Sequence, residues 1–238
     1  MKTAICISGM PRTWKQTLEP LMKNLVEPLN ADIFMHSWYE DSPSEMNDII
    51  SSYNPIKYCF DKNNTIHLKD YKRNTPGFSS YNSISQYKSL WLANCLVGNH
   101  ESEMGFVYDW VFRIRFDYLI RDMINISTMN ELDNKNIYIP NRHMTHPWNQ
   151  NQPYPRIVCD MFAFSNSKNM RIYSGVYLNI DRFYDEGDSA VVDSYESTRI
   201  NGEHLLAKQL DKFNIRSHIR YIAMPGINGL QFPVIKPQ

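Results

Sequence analysis

Arg113, Arg115 and Asp117 alternate with Phe112, Ile114 and Phe116 in the run Val-Phe-Arg-Ile-Arg-Phe-Asp. A strand sends successive side chains to opposite faces. One face of this run is apolar and suits a core, while the other carries two guanidinium groups and a carboxylate. Charges on an inner strand persist when they are paired or when they hold something. Guanidinium groups bind phosphate oxygens bidentately. A carboxylate at a strand end can hold a divalent ion between diphosphate oxygens, since Mg²⁺ uses one or two protein carboxylates plus phosphates. The competing reading is a charged network inside the domain, with Asp117 paired to an arginine.

Three further groups could carry chemistry. Ser8-Gly9-Met10-Pro11-Arg12-Thr13 lies between a first strand and a first helix, where open α/β sheets bind ligands. Gly9 permits close approach of backbone to a ligand, and Arg12 is a candidate diphosphate contact; a tight turn with a solvent-facing arginine is the plainer alternative. The segment is neither G-x-G-x-x-G nor a P-loop, which disfavours dinucleotide and ATP sites of those kinds. Asp160 opens the apolar run Met-Phe-Ala-Phe, as a base, a partner for sugar hydroxyls, or simply a turn residue. Glu203 is a second candidate base, although a helix's first turn favours Glu on electrostatic grounds alone. His204 beside it is a candidate metal or phosphate contact, or a structural residue. His143 and His146 are spaced like a ligand pair but lack a neighbouring Cys, so a zinc cluster is not expected. No G-x-S-x-G elbow occurs.

The elements that must position these groups alternate. Thr3–Ser8 reads as a strand, Trp14–Leu29 as a helix, and Ala31–Trp38 as a second strand, the opening of a parallel sheet with crossover helices. The pattern predicts a short helix at 48–53, strands at 56–60, 110–116, 137–140, 158–165 and 215–224, and helices at 83–96, 167–183 and 202–213. The polar stretches 61–80 and 141–156 read as long loops, which are often functional; Trp148 and Tyr154 in the second, with Trp38, are candidates for stacking on sugar faces. The tail from Pro225 reads as irregular.

The chain has 238 residues and no formal net charge. That length fits a single large domain, and balanced charge argues against a dedicated nucleic-acid binder. Four cysteines are scattered without C-x-x-C, and three of them sit in apolar runs and read as buried free thiols, which suggests a reducing compartment. There is no run long enough to span a bilayer and no leader-like start, so the expected location is the cytoplasm.

Five ordered islands carry a family resemblance. They are Ile5-Cys-Ile-Ser-Gly-Met-Pro-Arg-Thr13, Asp32-Ile-Phe-Met-His-Ser-Trp38, Ser85-Gln-Tyr-Lys-Ser89, Arg113-Ile-Arg-Phe-Asp117 and Asp160-Met-Phe-Ala-Phe164. The series resembles GT-A-like glycosyltransferases of bacterial surface-polysaccharide loci and viruses. That resemblance implies an α/β, Rossmann-like fold with a mostly parallel central sheet flanked by helices. It implies a single domain, with residues about 1–117 forming a nucleotide-sugar half and about 118–238 an acceptor half. The implied activity is transfer of a sugar from a nucleotide-sugar to a glycan acceptor hydroxyl. Ser8, Gly9, Arg12, His36, Arg113 and Arg115 would bind the donor, Asp117 a divalent cation (Mn²⁺ or Mg²⁺), and Asp160 or Glu203 would serve as base. The sequence departs from the pattern at Met10 and Met161, where the family tends to carry Gln. It also has Arg115 where the usual Asp-x-Asp pair has its first carboxylate. A non-catalytic glycan-binding or scaffold protein and another nucleotide-dependent transferase are the rival readings.

Overall fold

The computed structural model describes residues 1–39, 43–62, 80–141, 158–185 and 202–222. Nearly all of the expected loops at 61–80 and 141–156, with His143, His146, Trp148 and Tyr154, lie outside the described residues, as does the tail from Pro225.

Strand β1 (Thr3–Gly9) is the inner strand on which the fold is built. Its near-continuous apolar sequence suits a strand covered on both faces, and every residue from Thr3 to Ser8 is buried. Strands β2 (Asp32–Tyr39) and β4 (Trp110–Arg115) flank β1 in parallel, and β3 (Lys57–Lys62) lies parallel to β2 at the edge. Beyond β4 comes β6 (Phe162–Ser165), which runs antiparallel to β4 and to β5 (Ile137–Pro140); β7 (Ile219–Ile222) closes the sheet parallel to β5. The order is β3-β2-β1-β4-β6-β5-β7. A single antiparallel strand thus interrupts an otherwise parallel sheet, as the expected mostly parallel architecture requires.

Helices cover both faces. One apolar layer joins Cys6 and Phe34 of the sheet to Tyr87 and Leu90 of α4 (Ser80–Met104), Tyr173 of α6 (Ser167–Ser174) and Leu206 of α8 (Gly202–Lys212). The opposite layer joins Ile5, Ile7 and Phe112 to Trp14 and Leu21 of α1 (Trp14–Leu21), Leu25, and Ile49 of α3 (Pro43–Tyr53). Complete burial of such a side chain contributes roughly 1.5–3 kcal/mol, so both layers bind the helices firmly. The remaining short helices are α2 (Glu27–Leu29), α5 (Ile126–Asn130) and α7 (Ile180–Asp185).

The first helical region is locally irregular for a reason visible in its sequence. Pro20 and Pro28 each remove a backbone donor, and Met22–Val26 between them is a π-helical turn. Pro28 cannot supply the N–H that would bond the Asn24 carbonyl. That carbonyl instead accepts from Ile124 N at 2.8 Å, and the Asn24 side chain donates to Ile120 O and Arg121 O. Thr17 Oγ1 donates to Phe116 O at 2.5 Å. The chain leaving β4 is therefore tied down along the first helical region, which fixes where Asp117 stands.

Several boundaries differ from the sequence-based expectation. The helix expected at 83–96 runs on to Met104 despite Gly98, where an added Cβ would make only ordinary contact with the Arg171 guanidinium at 3.4 Å. The strand expected at 158–165 starts only at Phe162, because Val158 N donates to Glu203 O and Asp160 turns toward α4. The final strand is shortened by a 3₁₀ turn at Arg216–His218.

Candidate functional site

A cleft of about 390 Å³ opens at the carboxyl ends of β1, β2 and β4. Its lining includes Ser8, Gly9, Met10 and Arg12 from the loop after β1, Trp38 from the end of β2, and Arg115 and Asp117 from the end of β4. The first turns of α4 contribute Asn82, Ser85 and Gln86. Parallel register explains the grouping: Ser8 pairs with His36 on one side and with Arg115 on the other, and His36 pairs with Cys59 of β3. Cys59, His36, Ser8 and Arg115 thus form one polar row across four strand ends, all facing α4.

The loop after β1 is held from both sides. Gly9 has φ +110°, a conformation that L side chains rarely adopt. Its N–H donates to Ser89 Oγ at 2.8 Å, and its carbonyl accepts from Ser37 Oγ at 2.9 Å. Ser8 Oγ and Trp38 Nε1 are buried polar atoms with no hydrogen-bond partner among the described residues. Buried polar groups are nearly always satisfied, so two orphans lining one cleft call for an explanation.

Arg115 and Asp117 face each other across the cleft mouth. Arg115 Nε donates to Asp117 Oδ1 at 2.8 Å and Nη2 to Oδ2 at 2.5 Å. Both side chains are about 30% exposed, at 31% and 28%. Burial pulls the Arg115 guanidinium down, but the hydrogen bonds and charge of Asp117 outweigh it and the net shift is upward. The pair is reachable from solvent. Asp117 suits an ion that completes its shell from phosphates and water, but both carboxylate oxygens hold Arg115, so an ion has to displace part of that pair.

Arg113 stands apart from the cleft. Two residues back along β4, or roughly 6.6 Å, it is fully buried and is not part of the cleft lining. It donates through Nη1 to Met161 O, and its Nε and Nη2 have no hydrogen-bond partner among the described residues. Of the three arginines expected at the site, only Arg12 and Arg115 line the cleft.

Asp160 is also buried, 9% exposed. Its Oδ2 accepts from Gln86 Nε2 at 2.6 Å, and Gln86 is the residue that separates it from the cleft. Burial raises the Asp160 carboxyl, Arg113 opposes that shift, and Glu203 adds to it. Gly202, at the start of α8, closes the far side: a Cβ there would lie 3.0 Å from Asp160 Oδ2 and 3.2 Å from Tyr87. Tyr87 Oη donates to Gly202 O at 2.6 Å. Arg113, Asp160 and Glu203 thus lie near one another beneath the cleft floor with Tyr87 and Tyr173, whose hydroxyls burial pushes up and keeps neutral.

His36 is wholly buried behind Trp38, their rings meeting edge-on at 4.9 Å. Its Nδ1 lies 2.8 Å from Ser89 Oγ and its Nε2 3.4 Å from Asp61 Oδ2. Burial pushes the imidazole down to about 4, against the pull of Asp61, so the ring is neutral. His36 reaches the cleft through Ser89 and the Gly9 N–H rather than by lining it. Asn82, Ser85 and Gln86 also line the cleft and carry no signal in their residue types alone; the Ser85-Gln86 island is the signal that marks two of them.

An interrupted parallel sheet with a polar cleft at its strand ends defines the chain as an α/β protein of GT-A-like fold. Among solved structures it resembles the galactosyltransferase LgtC, determined with donor and acceptor sugar analogues: TM-score 0.50, 13% identity, covering 93% of this chain and 73% of LgtC. An active-site mutant of LgtC gives a TM-score of 0.52 at 12% identity, with 93% and 72% covered. No protein-family model and no curated protein matches the sequence. At this identity the likeness carries the fold. Among the described residues, no helix is long and apolar enough to cross a membrane.

Proposed function

We propose that this chain is a glycosyltransferase that moves a sugar from a nucleotide-sugar to a hydroxyl of a glycan acceptor. The observation that carries the proposal is the cleft at the ends of β1, β2 and β4. It combines Arg12 and Arg115, a loop whose Gly9 conformation only glycine adopts readily, and two buried polar atoms without a partner among the described residues, in a GT-A-like fold. Bond cleavage leaves a nucleoside diphosphate, and the negative charge that develops must meet preorganised positive groups. Arg115 and Arg12 supply them at the cleft. Asp117 is the residue that would hold a divalent cation, which would share in neutralising the diphosphate. Residues 1–117 build the donor half, and the later residues the acceptor half.

Asp160 is the proposed base for the acceptor proton. Its raised carboxyl accepts a proton at higher pH than an ordinary carboxylate. Gln86 holds one of its oxygens and is the side chain an acceptor hydroxyl has to displace. Glu203, in the first turn of α8, is the second choice. The rival reading, a glycan-binding protein without turnover, draws on the same Arg115–Asp117 pairing, which leaves neither carboxylate oxygen unengaged.

The test is thermal stabilisation by UDP, GDP, CMP and ATP, with and without Mn²⁺, followed by hydrolysis of a nucleotide-sugar panel. Ligand that binds only the folded state raises the melting temperature by mass action. A shift with one nucleoside diphosphate or monophosphate and hydrolysis of its sugar conjugate is expected. No shift with any nucleotide overturns the proposal and points to the glycan-binding or scaffold reading, and a shift with ATP alone points to a phosphotransferase.

A further inference from the structure

His36, Cys59 and Asp61 converge at the β2–β3 edge, on the α4 side of the sheet. One ligand-type atom from each lies within 4.8 Å of the others. We propose that they form a site for a zinc-class transition-metal ion, distinct from the cleft and independent of the transferase reading. Zinc takes imidazole nitrogen and carboxylate oxygen at about 2.0–2.2 Å and thiolate sulfur at about 2.3 Å in a tetrahedron, which sets ligand–ligand distances near 3.3–3.8 Å. His36 Nε2 lies 3.4 Å from Asp61 Oδ2, and Cys59 Sγ lies 3.6 Å from Asp61 Oδ1. Each separation matches a tetrahedral edge, but to a different Asp61 oxygen, so the carboxylate has to turn one oxygen toward both partners and the histidine–cysteine distance has to close; all three ligand atoms start within 4.8 Å of one another.

Ser89 Oγ accepts the Gly9 N–H at 2.8 Å and lies 2.8 Å from His36 Nδ1 and 3.2 Å from the His36 carbonyl. In the tautomer that carries its proton on Nδ1, Nε2 presents a lone pair toward Asp61 and can ligate a cation. A ligating imidazole with its other nitrogen fixed by a hydrogen bond is the usual outer-shell arrangement. Charge also balances: a divalent ion, one thiolate and one carboxylate sum to zero, which suits a half-buried site. Binding transfers the Cys59 thiol proton to solvent and forms three protein–metal bonds. Asp61, 37% exposed, leaves the fourth position open to water. The mixed nitrogen, sulfur and oxygen set favours zinc or cobalt over magnesium or calcium, which prefer oxygen alone. Occupancy would clamp β2 to β3 and, through Ser89, hold the Gly9 loop.

The test is a Co²⁺ and Zn²⁺ titration of chelator-treated, full-length protein. One equivalent of Co²⁺ should give a thiolate-to-cobalt charge-transfer band, displaced by Zn²⁺, with a rise in melting temperature. Cys59→Ser should abolish the band, and His36→Gln or Asp61→Asn should weaken binding at least tenfold. Cys95→Ser and Asp117→Ala should leave the band intact, the latter separating this site from any ion in the cleft. Circular dichroism checks that each variant is folded. Absence of the band, or a band that survives Cys59→Ser, overturns the site whatever the nucleotide results show; a proton shared by His36 and Asp61 is then the better account.

Discussion

Replacing Arg115 with Gln separates a binding role from a structural one. The Arg115–Asp117 pair is about 30% exposed on both sides, so water can solvate Asp117 once its partner is gone. Exposed or half-exposed pairs contribute up to about 1 kcal/mol to stability, and denaturant unfolding should register no more than that. A diphosphate in the cleft loses a charge-assisted contact of about 1.5–3 kcal/mol and meets a carboxylate no longer masked. At about 1.4 kcal/mol per decade, affinity should fall roughly 10- to 150-fold. The assay is calorimetric titration with whichever nucleoside diphosphate stabilises the parent protein, run with and without Mn²⁺. Asp117→Asn should keep most of the metal-free affinity and lose any Mn²⁺-dependent gain. If Arg115→Gln binds the nucleotide within twofold of the parent, the diphosphate does not sit at the end of β4 and the assignment of the cleft is wrong.

Gly9→Ala tests the loop: nothing lies within 4 Å of the added methyl, so its cost is backbone strain, about 1–3 kcal/mol, and nucleotide affinity should fall with it. Unchanged melting temperature and affinity would show that the φ of +110° is not required. Arg113→Met removes the cation beneath Asp160 and should cost roughly 3 kcal/mol or more in urea unfolding; a variant within about 0.5 kcal/mol of the parent would mean that Arg113 does not compensate the buried carboxyl. The raised Asp160 carboxyl has a definite sign of pH dependence. The folded state holds its proton where the unfolded chain, with a value near 3.9, has released it, so this residue's contribution to stability falls as pH rises from that value through the raised one. Asp160→Asn should remove that fall, and parallel stability–pH curves for the two proteins would show that Asp160 does not titrate there.

What could be read from the residues depended on how local the signal was. The opening β1–helix–β2 unit, the charged strand and the Gly9 loop are legible because strand alternation, helical spacing and a single glycine are properties of short runs. The reach of α4 beyond Leu96 is not, because Gly98 reads as an ending while the contacts that hold the last turns, Glu101 with Tyr108 N and with Arg171, lie outside that run. The antiparallel setting of β6 was not, since nothing in Phe-Ala-Phe-Ser reports the direction of its neighbour. The grouping proposed as a metal site is not legible for the same reason: Cys59 and Asp61 share one face of β3, but His36 reaches them only through the pairing of β2 with β3.

The parting of Arg113 from Arg115 shows most clearly where alternation stops informing. The two side chains do share a face, as their spacing dictates, yet depth along the strand and not face decides their fate. At position 115 the strand ends beside the Gly9 loop and the side chain meets the cleft. At position 113 it is overlaid by the helical layer that carries Tyr87 and Tyr173. The buried guanidinium then acts at one remove: it opposes the upward shift of Asp160, which Gln86 links to the cleft. The same alternating run therefore makes two different contributions, a reachable cation at the cleft and a fixed cation beneath the carboxyl proposed as base. Arg115→Gln should act on nucleotide affinity and Arg113→Met on stability and on the Asp160 titration, and a variant pair that failed to divide in that way would contradict the two-layer arrangement.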